Sequence, residues 1–407
     1  MNTTKVIWED LDFKIVVRNR VIARGYINED FIKGISSQFI EKAEDLLRIV
    51  GLDIEKSKRK ILETIERHDL ANFLFIRSIF DYGGVAPSHV FGEIMLKLYK
   101  ERPFLFRPTD SRWEHIATTE MEIPLLPIAG LHRTKFEDIA KWWINIIKFL
   151  SEKCNGNASE FFIKMANEYN IKLDDPYALE KLHLRFMKEK RRGFPYGDKN
   201  GRLMVCTMSQ SRRGFGVLKG VRPEHLKSFN MPVNSQVIRV SLNSGLIKFA
   251  YVEAREYKIT IRRKGEEEEI KGLGIGLDEI PFVEICQKAW KIIASKLDIY
   301  PIDLDIYIWS IGTILCKRFG RLCSLCPLWA VCESVKRGYV GESRGVEWFK
   351  GCFSLAKPQL KAFAIIRTCN YCPDYINGIC KRDEKYKVRM IAHHKLRLLR
   401  EILFHDT

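Results

Sequence analysis

No run of residues in this chain is apolar for long enough to span a bilayer. The N-terminus, MNTTKVIWEDLDFK, has no basic segment followed by an apolar one, so it is not read as a secretory signal. No internal repeat is visible, which removes tandem-array architectures. These absences leave the expectation of a soluble, cytoplasmic protein with no membrane partner, nucleoid-associated if prokaryotic. Acidic residues are in short supply: 51 Asp and Glu stand against 68 Lys and Arg, a net charge of +17. Such an excess suits a polyanionic partner, because phosphate contacts release counterions. A merely solvated basic surface has the same composition, so charge alone assigns nothing.

What is present is enough material for two or three domains: 407 residues, 46% of them hydrophobic. Phe13 to Arg18 and Val21 to Ala23 read as short strands flanking Asn19, a turn residue. From Asp30 to about Arg191 the apolar spacing is helical. Phe39, Ala43, Leu46 and Leu47 form one stripe, Phe73, Ile76 and Phe80 a second, Trp142, Ile146, Ile147 and Leu150 a third. Tyr82-Gly-Gly84 with Pro87, and the stretch from Pro103 to Pro108, mark breaks. Tyr257 to Arg262 alternates apolar and polar before Lys264-Gly265 and an acidic run, which predicts a small β-hairpin between helices. Four segments follow: extended 1–30, helical 31–300, a cysteine loop 301–335, and a cysteine-bearing extension 336–407 with a basic helical end from His394 to Phe404.

Of the 11 cysteines, eight fall between Cys316 and Cys380. Clustered thiols in a reducing compartment point to metal rather than disulfides. Cys316, Cys323, Cys326 and Cys332 are spaced C-x6-C-x2-C-x5-C. Four thiolates suit a 4Fe–4S cube, one per iron, and they also suit structural zinc, although zinc sites usually show two short pairs. Cys352, Cys369, Cys372 and Cys380 contain a C-x2-C knuckle and form a candidate second site for zinc or a second cluster. Cys206 and Cys286 have apolar neighbours and read as core residues, whereas Cys154 sits among polar residues and reads as a free thiol.

The first cysteine spacing resembles the iron–sulfur loop of the endonuclease III and adenine-glycosylase families, members of the helix-hairpin-helix DNA glycosylases. There the first gap of the loop contacts DNA phosphates; here that gap carries Lys317, Arg318 and Arg321. The segment Phe194-Pro-Tyr-Gly-Asp-Lys199 resembles the family hairpin, although it lacks one of the usual two glycines. The resemblance implies that Gly197 and Asp198 approach DNA at a helix N-terminus, and that Lys199 is the nucleophile forming a Schiff base with the sugar. Met231 to Ile247 resembles the segment bearing the catalytic aspartate, most closely that of the archaeal 8-oxoguanine glycosylases. The matching residue here is Asn234, a neutral amide that cannot act as a base near neutral pH. Asp198 or Glu224 are candidate substitutes for the missing carboxylate. Arg212, Arg213 and Lys219 are candidates for a phosphate-facing surface around Phe215, with Gly214 and Gly216 read as a helix C-cap.

The expected fold is mainly α: a two-lobed helical DNA-glycosylase-like fold with an iron–sulfur cluster loop, a β-hairpin insertion and a C-terminal extension. The resemblance implies a base-excision-repair DNA glycosylase or abasic-site lyase acting on duplex DNA. The loss of the carboxylate at Asn234 also admits a non-catalytic nucleic-acid-binding protein on the same frame. A nucleosidase or RNA-modification enzyme is a third reading.

Overall fold

The computed structural model describes residues 4–49, 52–81, 88–116, 125, 136–189, 193–252, 255–263, 266–274, 280–316 and 323–336. The protein is mainly helical with a small antiparallel sheet. The chain opens with β1 (Thr4–Glu9), β2 (Asp12–Val17) and β3 (Arg20–Ile27). Helices α1 (Glu29–Gly34), α2 (Gln38–Ile49), α3 (Ile54–Thr64), α4 (Leu70–Phe80) and α5 (Ser88–Glu101) follow. Next come α6 (Phe136–Cys154), α7 (Phe161–Glu168), α8 (Ala178–Lys188), α9 (Asp198–Met208), α10 (Pro223–Ser228) and α11 (Ser235–Asn243). Then β4 (Ile247–Val252), β5 (Arg255–Arg263) and β6 (Glu266–Gly274) lead to α12 (Phe282–Lys296), α13 (Leu304–Ser310) and α14 (Glu333–Lys336). Among the described residues no helix is long and apolar enough to cross a membrane.

The chain forms two compact units. Of the described residues, one takes those within 4–43, 233–296 and 308–336, the other those within 44–232 and 297–307. These units cut across the four sequence segments, because the N-terminal strands are not a separate piece. In the first unit β3 pairs with β4, Ile27 opposite Ile247, and closes a sheet of order β1-β2-β3-β4. Alternation does the sorting: Phe13, Ile15 and Val17 of β2 are buried while Asp12, Lys14 and Val16 are not. Arg18 and Asn19 make the β2–β3 turn with φ of 49° and 64°, a conformation asparagine tolerates better than most residues. The core is completed by Phe31 of α1, packed edge-on to Trp290 of α12 at 6.5 Å. Trp290 Nε1 donates to Ser241 Oγ of α11 at 2.8 Å, so the buried indole keeps its hydrogen bond. The inserted hairpin is present as β5 and β6, with Ile259 opposite Ile270.

The second unit is built round α4, in which every residue except Arg77 is buried. A helix apolar on all sides needs neighbours on all sides. Phe80 stacks on Trp143 at 5.1 Å, Phe73 meets Phe106 at 5.3 Å and Phe75 meets Phe161 at 5.4 Å. The two buried polar residues of α4 are satisfied: Asn72 accepts from the Ala158 amide at 2.7 Å and donates to Gly156 O at 3.0 Å, and the Ser78 hydroxyl pairs with Thr207 Oγ1 at 2.9 Å. On α6 the fully buried indole is Trp143, with Trp142 only partly covered. Cys154 is a free thiol as read from the sequence, and it is buried: burial pushes it up to about 12, as it does Cys206 and Cys286. Its polar sequence neighbours face solvent, while helical phase turns the thiol inward.

Candidate active-site hairpin and cysteine loop

Within the second unit, α8 is followed by α9, and residues 193–197 lead directly into α9. Gly197 is the N-cap of α9 and Lys199 is the second residue of that helix. Asn200 fastens the turn: its Oδ1 accepts from the Gly197 amide at 2.6 Å and its Nδ2 donates to Ile79 O of α4 at 3.0 Å. Gly201 allows the close approach, since a Cβ there would lie 2.5 Å from the Tyr196 ring and 2.7 Å from His183. Beneath the hairpin lies a buried ion network. Arg202, 1% exposed, donates to both oxygens of Glu180 at 2.8 Å and to Asp198 at 2.8 Å. His183 bridges Asp198 and Tyr196 at 3.1 Å each. Burial works against the charges of Glu180 and Asp198, but Arg202, joined at Asp198 by His183, outweighs it and holds both carboxyls below their usual range. Burial lowers His183, so its ring stays neutral at neutral pH.

Asp198 is therefore committed to holding the hairpin and is not free to serve chemistry at Lys199. Glu224 lies in an exposed pair with Arg222 at 3.0 Å. Lys199 is partly exposed, and its Nζ donates to Asp81 O, at the end of α4, at 3.4 Å. Arg213 Nη1 lies 3.5 Å from Asp305 Oδ2 on the first turn of α13. Asp305 is buried, and burial pushes its carboxyl up to about 6 against the pull of Arg213 and Lys199. The Arg212 amide donates to Asp303 at 2.9 Å, while its guanidinium pairs with Glu44. Gly214 and Gly216 do not cap α9, whose C-cap is Ser209. They lie in a loop that folds back on the helix end, with Phe215 N bonded to Thr207 O and Gly216 N to Ser209 O. Phe215 packs partly buried against the core.

Asp305, Asp81 and Arg77 were not singled out in the sequence. The signal for Asp305 was present in Pro301-Ile-Asp-Leu-Asp-Ile-Tyr-Ile-Trp309, where two carboxylates interrupt an apolar run.

Asn234 belongs to the first unit. It is the N-cap of α11, and its Oδ1 accepts from the Gln236 and Val237 amides at 2.8 and 3.2 Å. The other end of α11 reaches the cysteine loop. Asn243 Nδ2 donates to Cys316 Sγ at 3.4 Å, Cys332 lies against Asn243 O, and Arg239 donates to Gly312 O and Cys316 O. Cys316 follows a π-helical turn, Ile311–Leu315, a rare conformation that occurs mostly at functional sites. No disulfide joins the four thiols, which are partly exposed. Burial, followed by the charges of its cysteine neighbours, pushes the Cys326 thiol far up, and Cys332 is raised in the same way.

Among the described residues, Glu66, His68 and Asp69 are the one His/Cys/Asp/Glu trio whose ligand atoms all lie within 4.8 Å of one another. In the carboxylate trio, Asp69 already accepts from Tyr99 at 2.7 Å and Arg107 at 2.8 Å.

Lys317, Arg318 and Arg321, and the second set Cys352, Cys369, Cys372 and Cys380, lie outside the described residues. Compared with known proteins, the chain matches no family model, no curated protein and no solved structure.

Proposed function

We propose that this protein is a base-excision DNA glycosylase or abasic-site lyase, with Lys199 as its nucleophile and Cys316, Cys323, Cys326 and Cys332 holding a 4Fe–4S cluster. The observation that carries the reading is Lys199 itself: a partly exposed amine at the N-terminus of α9, in a hairpin braced by the buried Arg202 network. Backbone amides at a helix N-terminus favour a phosphate, so a DNA strand lying over the hairpin brings a flipped sugar towards the amine. On a nucleotide, Lys199 Nζ attacks C1′ as the base leaves with its bonding pair; the ring oxygen then leaves C1′, taking up the proton the amine gives, and the C=N bond of a Schiff base joins protein and sugar. A bound cluster would supply structure, fixing the loop that bears Lys317, Arg318 and Arg321. Those cations would then contact phosphates without reading sequence.

The test is borohydride trapping on anaerobically purified protein, with duplexes carrying an abasic site, 8-oxoguanine, uracil or oxidised pyrimidines. A covalent adduct is expected on at least one duplex, and Lys199→Gln is expected to abolish it. An adduct that persists in the variant removes Lys199 from the reading. One observation favours a second reading, a non-catalytic nucleic-acid-binding protein: Asn234 Oδ1 is already occupied in capping α11. That reading expects salt-sensitive binding with no adduct and no alkali-labile product.

A further inference from the structure

The turn between α3 and α4, in the second unit, gathers three metal-ligating side chains outside the site described above. His68 Nε2 stands 3.4 Å from Glu66 Oε2 and 3.3 Å from Asp69 Oδ1. The ligand atoms of the three residues all lie within 4.8 Å of one another. Both contacts of the imidazole are longer than an N–H···O hydrogen bond, which usually runs about 2.7–3.2 Å. Nε2 carries one proton or one lone pair, so it can serve only one of two carboxylates. A cation between them serves all three groups at once. Tetrahedral bonds of about 2.0–2.1 Å set neighbouring ligand atoms about 3.3–3.4 Å apart, which matches both contacts.

Asp69 is fixed from behind. It is 2% exposed and immediately precedes α4, yet its side chain makes no cap bond to that helix. Its Oδ2 accepts instead from Tyr99 Oη at 2.7 Å and Arg107 Nε at 2.8 Å, which leaves Oδ1 towards His68. Carboxylates that ligate metals are commonly oriented by such outer hydrogen bonds. Arg107 Nη2 also reaches Glu66 Oε2 at 3.1 Å, so one guanidinium orients both carboxylates. Two carboxylates and one arginine leave a net negative charge for a dication to meet. We propose that Glu66, His68 and Asp69 form a zinc site that ties the α3–α4 turn to the start of the buried α4. An imidazole beside carboxylate oxygens suits zinc better than magnesium or calcium, which take oxygen ligands. His68 and Glu66 are 65% and 59% exposed, so water completes the coordination. The site is independent of Lys199 and of the glycosylase reading.

The experiment uses the full chain, purified anaerobically, with zinc chloride as the probe. Diethyl pyrocarbonate labels accessible imidazoles, and peptide mass spectrometry reads each histidine separately, with exposed His115 as reference. Zinc also reaches cysteines, so the readout is the ratio of His68 to His115 labelling rather than total zinc bound. Zinc is expected to lower that ratio about tenfold in wild type, and excess magnesium to leave it unchanged. Glu66→Ala and Asp69→Asn are each expected to raise the zinc concentration for half-protection by about tenfold or more. Glu66 is exposed, so Glu66→Ala keeps the test decisive even if Asp69→Asn fails to fold. A wild-type ratio that zinc leaves unchanged, because His68 stays reactive or because His115 is protected equally, overturns the site. Protection undiminished in Glu66→Ala reduces it to a lone imidazole and overturns the trio. Equal protection by magnesium overturns the assignment to zinc.

Discussion

At the scale of single residues, the protein spends its most deeply buried charges on shape. Arg202 neutralises Glu180 and Asp198, and replacing it with Met leaves two desolvated carboxylates facing no cation. We expect Arg202→Met to cost about 3–5 kcal/mol, measured as a shift of the denaturant midpoint. The pH dependence has a definite sign. Glu180 and Asp198 are lowered in the folded state, so their stabilisation is full above about pH 4 and is lost as pH falls through their folded values. His183 is lowered as well, which means the unfolded chain takes up its proton first and stability declines below about pH 6.5. Thermal melts against pH check both limbs, and Glu180→Gln is expected to flatten the more acidic one. The place of Lys199 at a helix N-terminus was legible in the sequence because Gly-x-Lys before an apolar run is a local pattern. For Asp305 the apolar run around it signalled burial, but its partner Arg213 lies more than ninety residues away in sequence, and no local pattern reports that pairing.

At the scale of elements, α11 links the two features that the sequence suggested in the first unit. Its first turn is capped by Asn234 and its last turn holds Cys316 through Asn243. Asn234→Ala is expected to destabilise the protein by about 1 kcal/mol, while Asn234→Asp keeps the cap and adds a favourable charge at the helix N-terminus. Denaturation of the two variants separates capping from any chemical role, and trapping assays on the Asp variant report the latter. Gly245, just beyond α11, has φ of +79°, and a Cβ there would lie 2.4 Å from Glu333 Oε2 beside Cys332. Gly245→Ala is therefore expected to cost at least about 1 kcal/mol and to lower the iron content of purified protein relative to wild type. Strand and helix positions were largely readable: alternation gave β2 and the β5–β6 pair, and helical stripes gave α2 and α4. The π turn before Cys316 was not, since its five residues, Ile311–Leu315, look like any continuation of a buried helix. The loop at Gly214 and Gly216 was misread for a related reason. Glycine pairs signal a change of direction but not which helix end they fold against.

At the scale of the whole molecule, a net charge of +17 makes binding to DNA an ionic-strength experiment. A linear fall of log affinity with log salt is expected, and its slope counts the phosphates contacted. Iron and sulfide analysis of anaerobically purified protein is expected to give about four irons per chain from the first cysteine set, and zinc in their place would remove the cluster assignment. The pairing of β3 with β4 has a further consequence, for the order in which the protein is made. Ile27 waits for Ile247, so at about 5–20 residues per second the edge of β3 leaves the ribosome some ten to forty seconds before its neighbour strand exists. The 44–232 stretch, which carries most of the second unit, is complete in that interval, whereas the sheet must stay unfinished. An open edge held that long is a template for pairing with another nascent chain, which makes the first unit the place where crowded synthesis, or truncation before β4, would show itself as aggregation.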